Sequence, residues 1–499
     1  MSYEQLLSHT RETAILGSVL NVLEWDERTY MPPAGGEYRA EQSAYLAGLI
    51  HQRRTAPQVG QWLAELAESP LAADPQSDSG CVIRQLAKQF AKKQKLPQSL
   101  VEELTRTGSI AQHAWEAARK ADDFKSFEPH LAKMIELKRA EAAAYGFDAT
   151  PYDPLLDDFE PGETTANVTR VLGALRDQLT PVVQAIAESK RRAPSDILQR
   201  TYPRDAQAKF GQVAAAAIGF DFSAGRLDTT AHPFCAGVGP RDVRLTTRYN
   251  EQQFEGGLFS ILHEAGHGIY DQGLPAEHYG LPTGEAISLG IHESQSRMWE
   301  NLVGRSRAFW DYFYPQTQAA FPTALGDVSL DDWYFAINES KPSLIRTESD
   351  EATYNLHVIV RFELEQALLT GDLPVAELPA AWNAKYRQYL GIEPPSAANG
   401  VLQDVHWSAG LFGYFPTYAL GNLYAAQFFE QAQRDLGDLN AQFRRGEFMP
   451  LREWLRMHIH SVGQRYSAAE LVQRVTGKPL SHDALVRHLR TKFGALYGF

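Results

Sequence analysis

Cysteine is almost missing: Cys81 and Cys235 are the only two in 499 residues. Two thiols cannot build a disulfide framework or a Cys₄ zinc knuckle, and they fit a reducing compartment, so the cytoplasm is the expected setting. Long apolar runs are missing too. No stretch approaches the roughly 20 residues that cross a bilayer, which excludes a membrane span. The apolar segment 14–23 has the length of a signal-peptide core, but Glu4 and Glu12 precede it and Glu24-Trp25-Asp26-Glu27 follow it, so it reads as an ordinary helix. Positive charge is short: 48 Lys and Arg face 61 Asp and Glu, a net −13, and a nucleic-acid partner is not expected. Repeats, low-complexity tracts and visible domain joints are also lacking. The best loop segments, 69–80 and 392–400, are short enough to join neighbouring helices within one body.

What is present is helical period. Residues 97–119, 124–146, 165–189, 197–218, 353–371 and 417–435 are rich in Ala, Leu, Glu, Gln, Lys and Arg with apolar residues three or four apart, and predict long helices. Strand signals are few. Residues 243–249 alternate as a strand does, and 343–347 is a weaker candidate. The expected architecture is mainly α with one small sheet.

The segment Phe259-Ser260-Ile261-Leu262-His263-Glu264-Ala265-Gly266-His267 contains His-Glu-x-x-His. On a helix, residues four apart share a face, so His263 and His267 can converge on one metal ion while Glu264 lies about 100° around. A catalytic zinc takes three protein ligands and a water whose pKa falls to about 7, and a neighbouring carboxylate can then remove its proton. A third ligand is needed. The metzincin continuation requires Gly at 270 and His at 273, where the chain has Tyr270 and Gly273. A carboxylate from the next helical segment, 284–300, is the other common solution, and Glu285, Glu293 and Glu300 are all open by geometry. His292 points elsewhere and reads as an orienting or packing residue.

These residues resemble a known family. His263-Glu264-x-x-His267 followed by His292-Glu293-Ser294-Gln295 is similar to the carboxypeptidase Taq family of metallocarboxypeptidases. The likeness continues through His232-Pro233-Phe234, Asp242-Val243-Arg244-Leu245-Thr246, Ile345-Arg346-Thr347-Glu348-Ser349-Asp350 and Gly400-Val401-Leu402-Gln403-Asp404-Val405-His406-Trp407. Trp25-Asp26, Met31-Pro32 and Arg39-Ala40-Glu41-Gln42 extend it toward the start. One departure is Ser349, where the family has Ala. The resemblance implies Glu293 as third ligand and a mainly α, zincin-type helical body with a small β-sheet beside a deep active-site groove. It also implies a single catalytic body over 1–499 and a homodimer.

The function expected is a metallocarboxypeptidase that removes single C-terminal residues from peptides with broad specificity. Glu264 would activate a water on zinc, with cobalt an alternative metal. A free carboxylate calls for a planar guanidinium; Arg346 is the first choice and Arg244 the second. The competing reading of each is an ion pair, Arg346 with Glu348 or Asp350 and Arg244 with Asp242. By resemblance Tyr418 and His406 assist the chemistry, with Tyr414 a close competitor to Tyr418. His232 is expected on the peptide backbone, Gln403, Asp404 and Trp407 in the wall, and residues 243–247 as a strand along which substrate pairs. Two other readings compete: an oligopeptidase acting on internal bonds, and a metal-stabilised binding protein without catalysis.

Overall fold

The computed structural model describes residues 2–499. It is 69% helical with three strands, which makes the mainly α expectation correct. The helices Ser2–Thr29, Gly36–Arg54, Pro57–Ala67 and Asp78–Gln94 come first. Leu6, Val59, Leu63, Leu66 and Ile83 form a small core of their own among them. The segment 14–23 lies inside the first of these helices, as its flanking charges suggest. Residues from Ala111 to Tyr497 share one much larger core.

Helix bounds follow the periodicity closely: Gln98–Ala121, Phe124–Tyr145, Thr165–Glu188, Tyr354–Thr370 and Pro416–Leu436. The stretch 197–218 does not form one helix. It divides into a turn of 3₁₀ helix at Ser195–Gln199 and a helix at Arg204–Ala217, because Pro203 lacks an N–H and restricts the residue before it. Residues 343–347 are not a strand either. Arg346–Glu348 is a 3₁₀ turn, and the Arg346 N–H donates to the Gln403 side chain at 2.8 Å instead of to a neighbouring strand.

The sheet contains β1 (Gly225–Thr229), β2 (Cys235–Gly239) and β3 (Asp242–Thr247) in the order β1-β3-β2. β3 runs parallel to β1 and antiparallel to β2. It therefore has a partner on each side, and the expectation that substrate pairs along residues 243–247 is wrong: both of its edges are filled. β1 and β2 carry little strand signal in the sequence because Gly225, Gly237, Gly239 and Asp228 weaken strand patterning. Val243 and Leu245 point inward, and Leu245 packs on the helix Phe254–Gly273, whose Gly268 would carry a Cβ only 2.9 Å from the leucine side chain. The sheet is thus fixed directly against the helix that bears His-Glu-x-x-His.

Candidate metal centre and its surroundings

The motif helix Phe254–Gly273 forms without proline and buries Leu258, Ile261, Leu262, Ala265 and Ile269 in the core. Its glycines weaken it by about 1 kcal/mol each relative to Ala. Gly266 offsets this by allowing a close crossing: a Cβ there would sit 2.6 Å from the Gln295 carbonyl oxygen. The crossing element is the helix Leu289–Arg297, which carries Glu293. Gly421 performs the same service from the other side, since its Cβ would lie 2.6 Å from Cγ of Glu293. Two side-chain-free positions therefore clamp the glutamate between the motif helix and the helix Pro416–Leu436.

The sequence segment 284–300 is not a single helix. It starts at Leu289, where Ser288 caps it by accepting the Ile291 N–H at 3.1 Å, and passes into a π-helical stretch at Met298–Gly304. Glu160, fully buried, secures the same helix end by accepting from Ser288 Oγ (2.8 Å), Tyr424 Oη (2.9 Å) and the Gly290 N–H (3.0 Å). Glu285 lies outside the helix.

Glu293 is the acid that meets the imidazoles. Its Oε2 is 3.7 Å from Nε2 of His263 and 3.4 Å from Nε2 of His267, and the three side chains offer ligand atoms all within 4.8 Å of one another. Glu300 serves differently: its Oε2 lies 2.9 Å from Nδ1 of His263, on the far side of that ring. The other ring is backed by His292, whose Nδ1 meets Nδ1 of His267 and whose Nε2 is 2.9 Å from Asp271 Oδ1. Arg297 braces the group, donating from Nε to Glu293 Oε1 at 2.7 Å and from Nη1 to Glu300 Oε2 at 3.3 Å, with its guanidinium 4.3 Å above the Tyr354 ring.

Electrostatics separate these groups. Burial resists the charge on Glu293, but Arg297 and the imidazoles outweigh it and hold the carboxyl well below the usual range. Burial, with His292 beside it, pushes His267 down to about 4, the neutral state a ligand needs. Glu264 is buried and takes no part in the bonds above; burial raises its carboxyl to about 7. The donor set fits a divalent ion on its chemistry: two Nε2 atoms and a carboxylate oxygen converge, and each Nδ1 is engaged from behind.

A second polar group surrounds Arg346. Neither Glu348 nor Asp350 is its partner. Arg346 donates from Nε (3.1 Å) and Nη2 (2.9 Å) to Asp404 Oδ1, and from Nη1 to Tyr354 Oη (3.1 Å). Arg361, fully buried, donates from Nε to the other oxygen of Asp404 at 2.6 Å. Burial and, in smaller measure, Arg346 depress His406 to about 4, and its Nε2 lies 3.5 Å from Tyr418 Oη. The Tyr418 ring lies 4.9 Å beneath the Arg346 guanidinium, while Tyr414 packs on Phe159 and Tyr418.

Other expected residues are placed apart. Arg244 forms the anticipated pair with Asp242, two bonds of 2.8 Å, and stacks on Trp25 at 4.3 Å. His232 is exposed in the loop between β1 and β2 and joins neither polar group. Asp26, from the N-terminal motif, is bound by Arg39 at 2.7 Å and ties the first two helices together. Of the residues sequence reasoning passed over, Arg297 and Asp271 were readable, lying four residues from Glu293 and His267. Arg361, Tyr354 and the bridging use of Asp404 carried no local signal.

Imidazoles and an acid converging in this way, beside a second acid left uncommitted, define a metal-dependent hydrolase of the helical zincin type. Comparison with known proteins narrows the class. The description "Carboxypeptidase Taq (M32) metallopeptidase" matches residues 5–493. Thermostable carboxypeptidase 1 of Thermus thermophilus is 47% identical over 100% of this chain and 99% of that protein. Carboxypeptidase 1 of Bacillus subtilis is 38% identical over 98% of this chain and 96% of its own length. The crystal structure of an M32 carboxypeptidase from Deinococcus radiodurans R1 superposes with a TM-score of 0.96 at 39% identity, covering 100% of both chains. The chain belongs to the carboxypeptidase Taq (M32) metallopeptidase family and is a metal-dependent carboxypeptidase.

Proposed function

We propose that His263, His267 and Glu293 hold one zinc ion, with cobalt as the alternative, and that the enzyme releases C-terminal residues one at a time from peptides of varied sequence. An ion held there supplies a Lewis acid and lowers the pKa of water at its open position. Glu264 takes the proton from the attacking water and delivers it to the leaving amine nitrogen. The carrying observation is the division of labour among the acids: Glu293 faces both Nε2 atoms, Glu300 faces an Nδ1, and Glu264 is left free.

Arg346 receives the C-terminal carboxylate. Asp404 is shared between Arg346 and Arg361, so two guanidiniums face one carboxylate and one positive charge is left over for a substrate anion. Arg244 is less suited because its carboxylate, Asp242, is shared with no second guanidinium, so that pair leaves no charge over. Tyr418 steadies the developing oxyanion, supported by its contacts with both Arg346 and His406; Tyr414 touches neither through a polar atom. His232 acts on the peptide backbone from its loop. Residues 1–499 serve as one catalytic body, and the protein works as a homodimer in the cytoplasm, in keeping with its two unpaired thiols.

The test compares one peptide as free acid and as C-terminal amide, with products followed over time. Stepwise loss of terminal residues from the acid and no cleavage of the amide is the expected result. Equal cleavage of both at an internal bond would replace this reading with an oligopeptidase.

A further inference from the structure

The two ligand imidazoles are anchored differently. His263 reaches a carboxylate directly, through Glu300. His267 reaches one only through an intervening ring: its Nδ1 meets Nδ1 of His292, and Nε2 of His292 lies 2.9 Å from Asp271 Oδ1. We infer that Asp271 is a positioning residue for the ion, acting through His292 to keep the proton of His267 on Nδ1 and its Nε2 free to bind. This rests on the assignment of His263, His267 and Glu293 as ligands.

With Nε2 of His267 on an ion and both rings neutral, the chain of contacts leaves one arrangement of protons. A ligand nitrogen carries no proton, so neutral His267 bears its proton on Nδ1 and donates it to His292. His292 accepts at Nδ1, and in its neutral form it bears its own proton on Nε2, which donates to Asp271. If His292 instead donated from Nδ1, the proton of His267 would move to Nε2 and close that nitrogen to the metal. A carboxylate oxygen facing a ring N–H accepts, so Asp271 sets the direction of the whole series. Packing holds the series in line. The rings of His292 and His267 lie edge to edge within 28° of coplanar, with centroids 4.6 Å apart, and Tyr270 lies against His292 at 5.1 Å. Asp271 follows His267 by four residues and so shares the face of the motif helix that bears both ligands.

Strand β2 reserves the space for this carboxylate. A Cβ on Gly237 would lie 2.9 Å from Oδ2 of Asp271, so a side chain there would push the carboxylate tip off its line with His292. Gly237 has no left-handed backbone angle to account for the glycine. Room for Asp271 does account for it.

The experiment titrates full-length, metal-stripped protein with Zn²⁺ against a chelating indicator and records the melting midpoint of each stripped variant. Asp271→Ala is expected to weaken Zn²⁺ binding by about 10- to 100-fold, the usual scale for removing such a partner, with little change in the stripped midpoint. Asp271→Asn, which keeps an acceptor and substitutes as the readout should the alanine variant not fold, should lose less. Gly237→Ala should weaken binding in the same direction. In a His292→Ala background, Asp271→Ala should have no further effect, because the connection is already cut. Wild-type affinity in Asp271→Ala, or a loss equally large with and without His292, would overturn the inference. Failure of the wild-type protein to bind one equivalent of Zn²⁺ would instead overturn the ligand assignment beneath it.

Discussion

The metal side and the arginine side of this site are built in opposite ways. On the metal side, three groups come from two short segments, His263–His267 and Glu293, and the tolerance is set by backbone contact at Gly266 and Gly421. On the arginine side, Arg346, Tyr354 and Arg361 come from one segment while Asp404 and Tyr418 come from two later ones, and the tolerance is set by one shared carboxylate. Ligand geometry demands rigidity, which close helix crossings supply. The anion recognition proposed for Arg346 demands unspent charge in a dry place, which an unequal ratio of guanidinium to carboxylate would supply.

The comparison can be broken most severely at Glu264. Glu264→Gln should bind metal as the wild type does yet lose roughly 10²- to 10⁴-fold in kcat, checked by turnover and metal content on the same sample. Substantial residual hydrolysis would contradict its assignment as base. Arg346→Met comes next. It leaves Asp404 paired with Arg361 alone and should lower kcat/KM for free-acid peptides by about 2–5 kcal/mol in transition-state terms, with metal content intact. Arg346→Lys should recover little, because an ammonium cannot reproduce the planar fork. Gly421→Ala tests the metal side by packing alone. Its methyl group would press on Glu293, costing about 1–3 kcal/mol of stability and weakening metal retention, read from the melting midpoint and a chelator titration.

The smallest effect concerns pH. Burial lifts Glu160 to about 7, above the 4.5 of an ordinary glutamate. The folded protein then keeps a proton that the unfolded chain releases, so stability contributed by this group falls as pH rises from about 4.5 to 7 and is level above that. Glu160→Gln removes this titration. Its melting midpoint plotted across that window should be flatter than that of the wild type, and an unchanged slope would show that Glu160 does not titrate there.

The same contrast explains how much could be read in advance. A four-residue spacing on one helix is local information, so His263, Glu264 and His267 are legible directly, as are the bounds of five of the six long periodic segments. Glu293 was not separable from Glu285 and Glu300 by spacing, because the choice depends on where the helix begins at Ser288 and on the π-helical stretch that follows it. Only the likeness to a known family selected it. Arg346 is legible as a cation but its partner is not: Asp404 lies 58 residues away, and its sequence context suggests only a place in the wall. The misplaced strand has a related cause. The alternation in 243–247 identified a strand, but whether it lies at an edge depends on β1 and β2, whose glycines hide them.

The central claim is that two imidazoles and Glu293 grip a single ion. It is tested most directly by metal analysis of purified wild-type protein beside Glu293→Ala. One equivalent of divalent metal per chain in the wild type, and its loss from the variant after brief dialysis against a weak chelator, is the predicted result. A full equivalent retained by Glu293→Ala under the same dialysis would contradict the account.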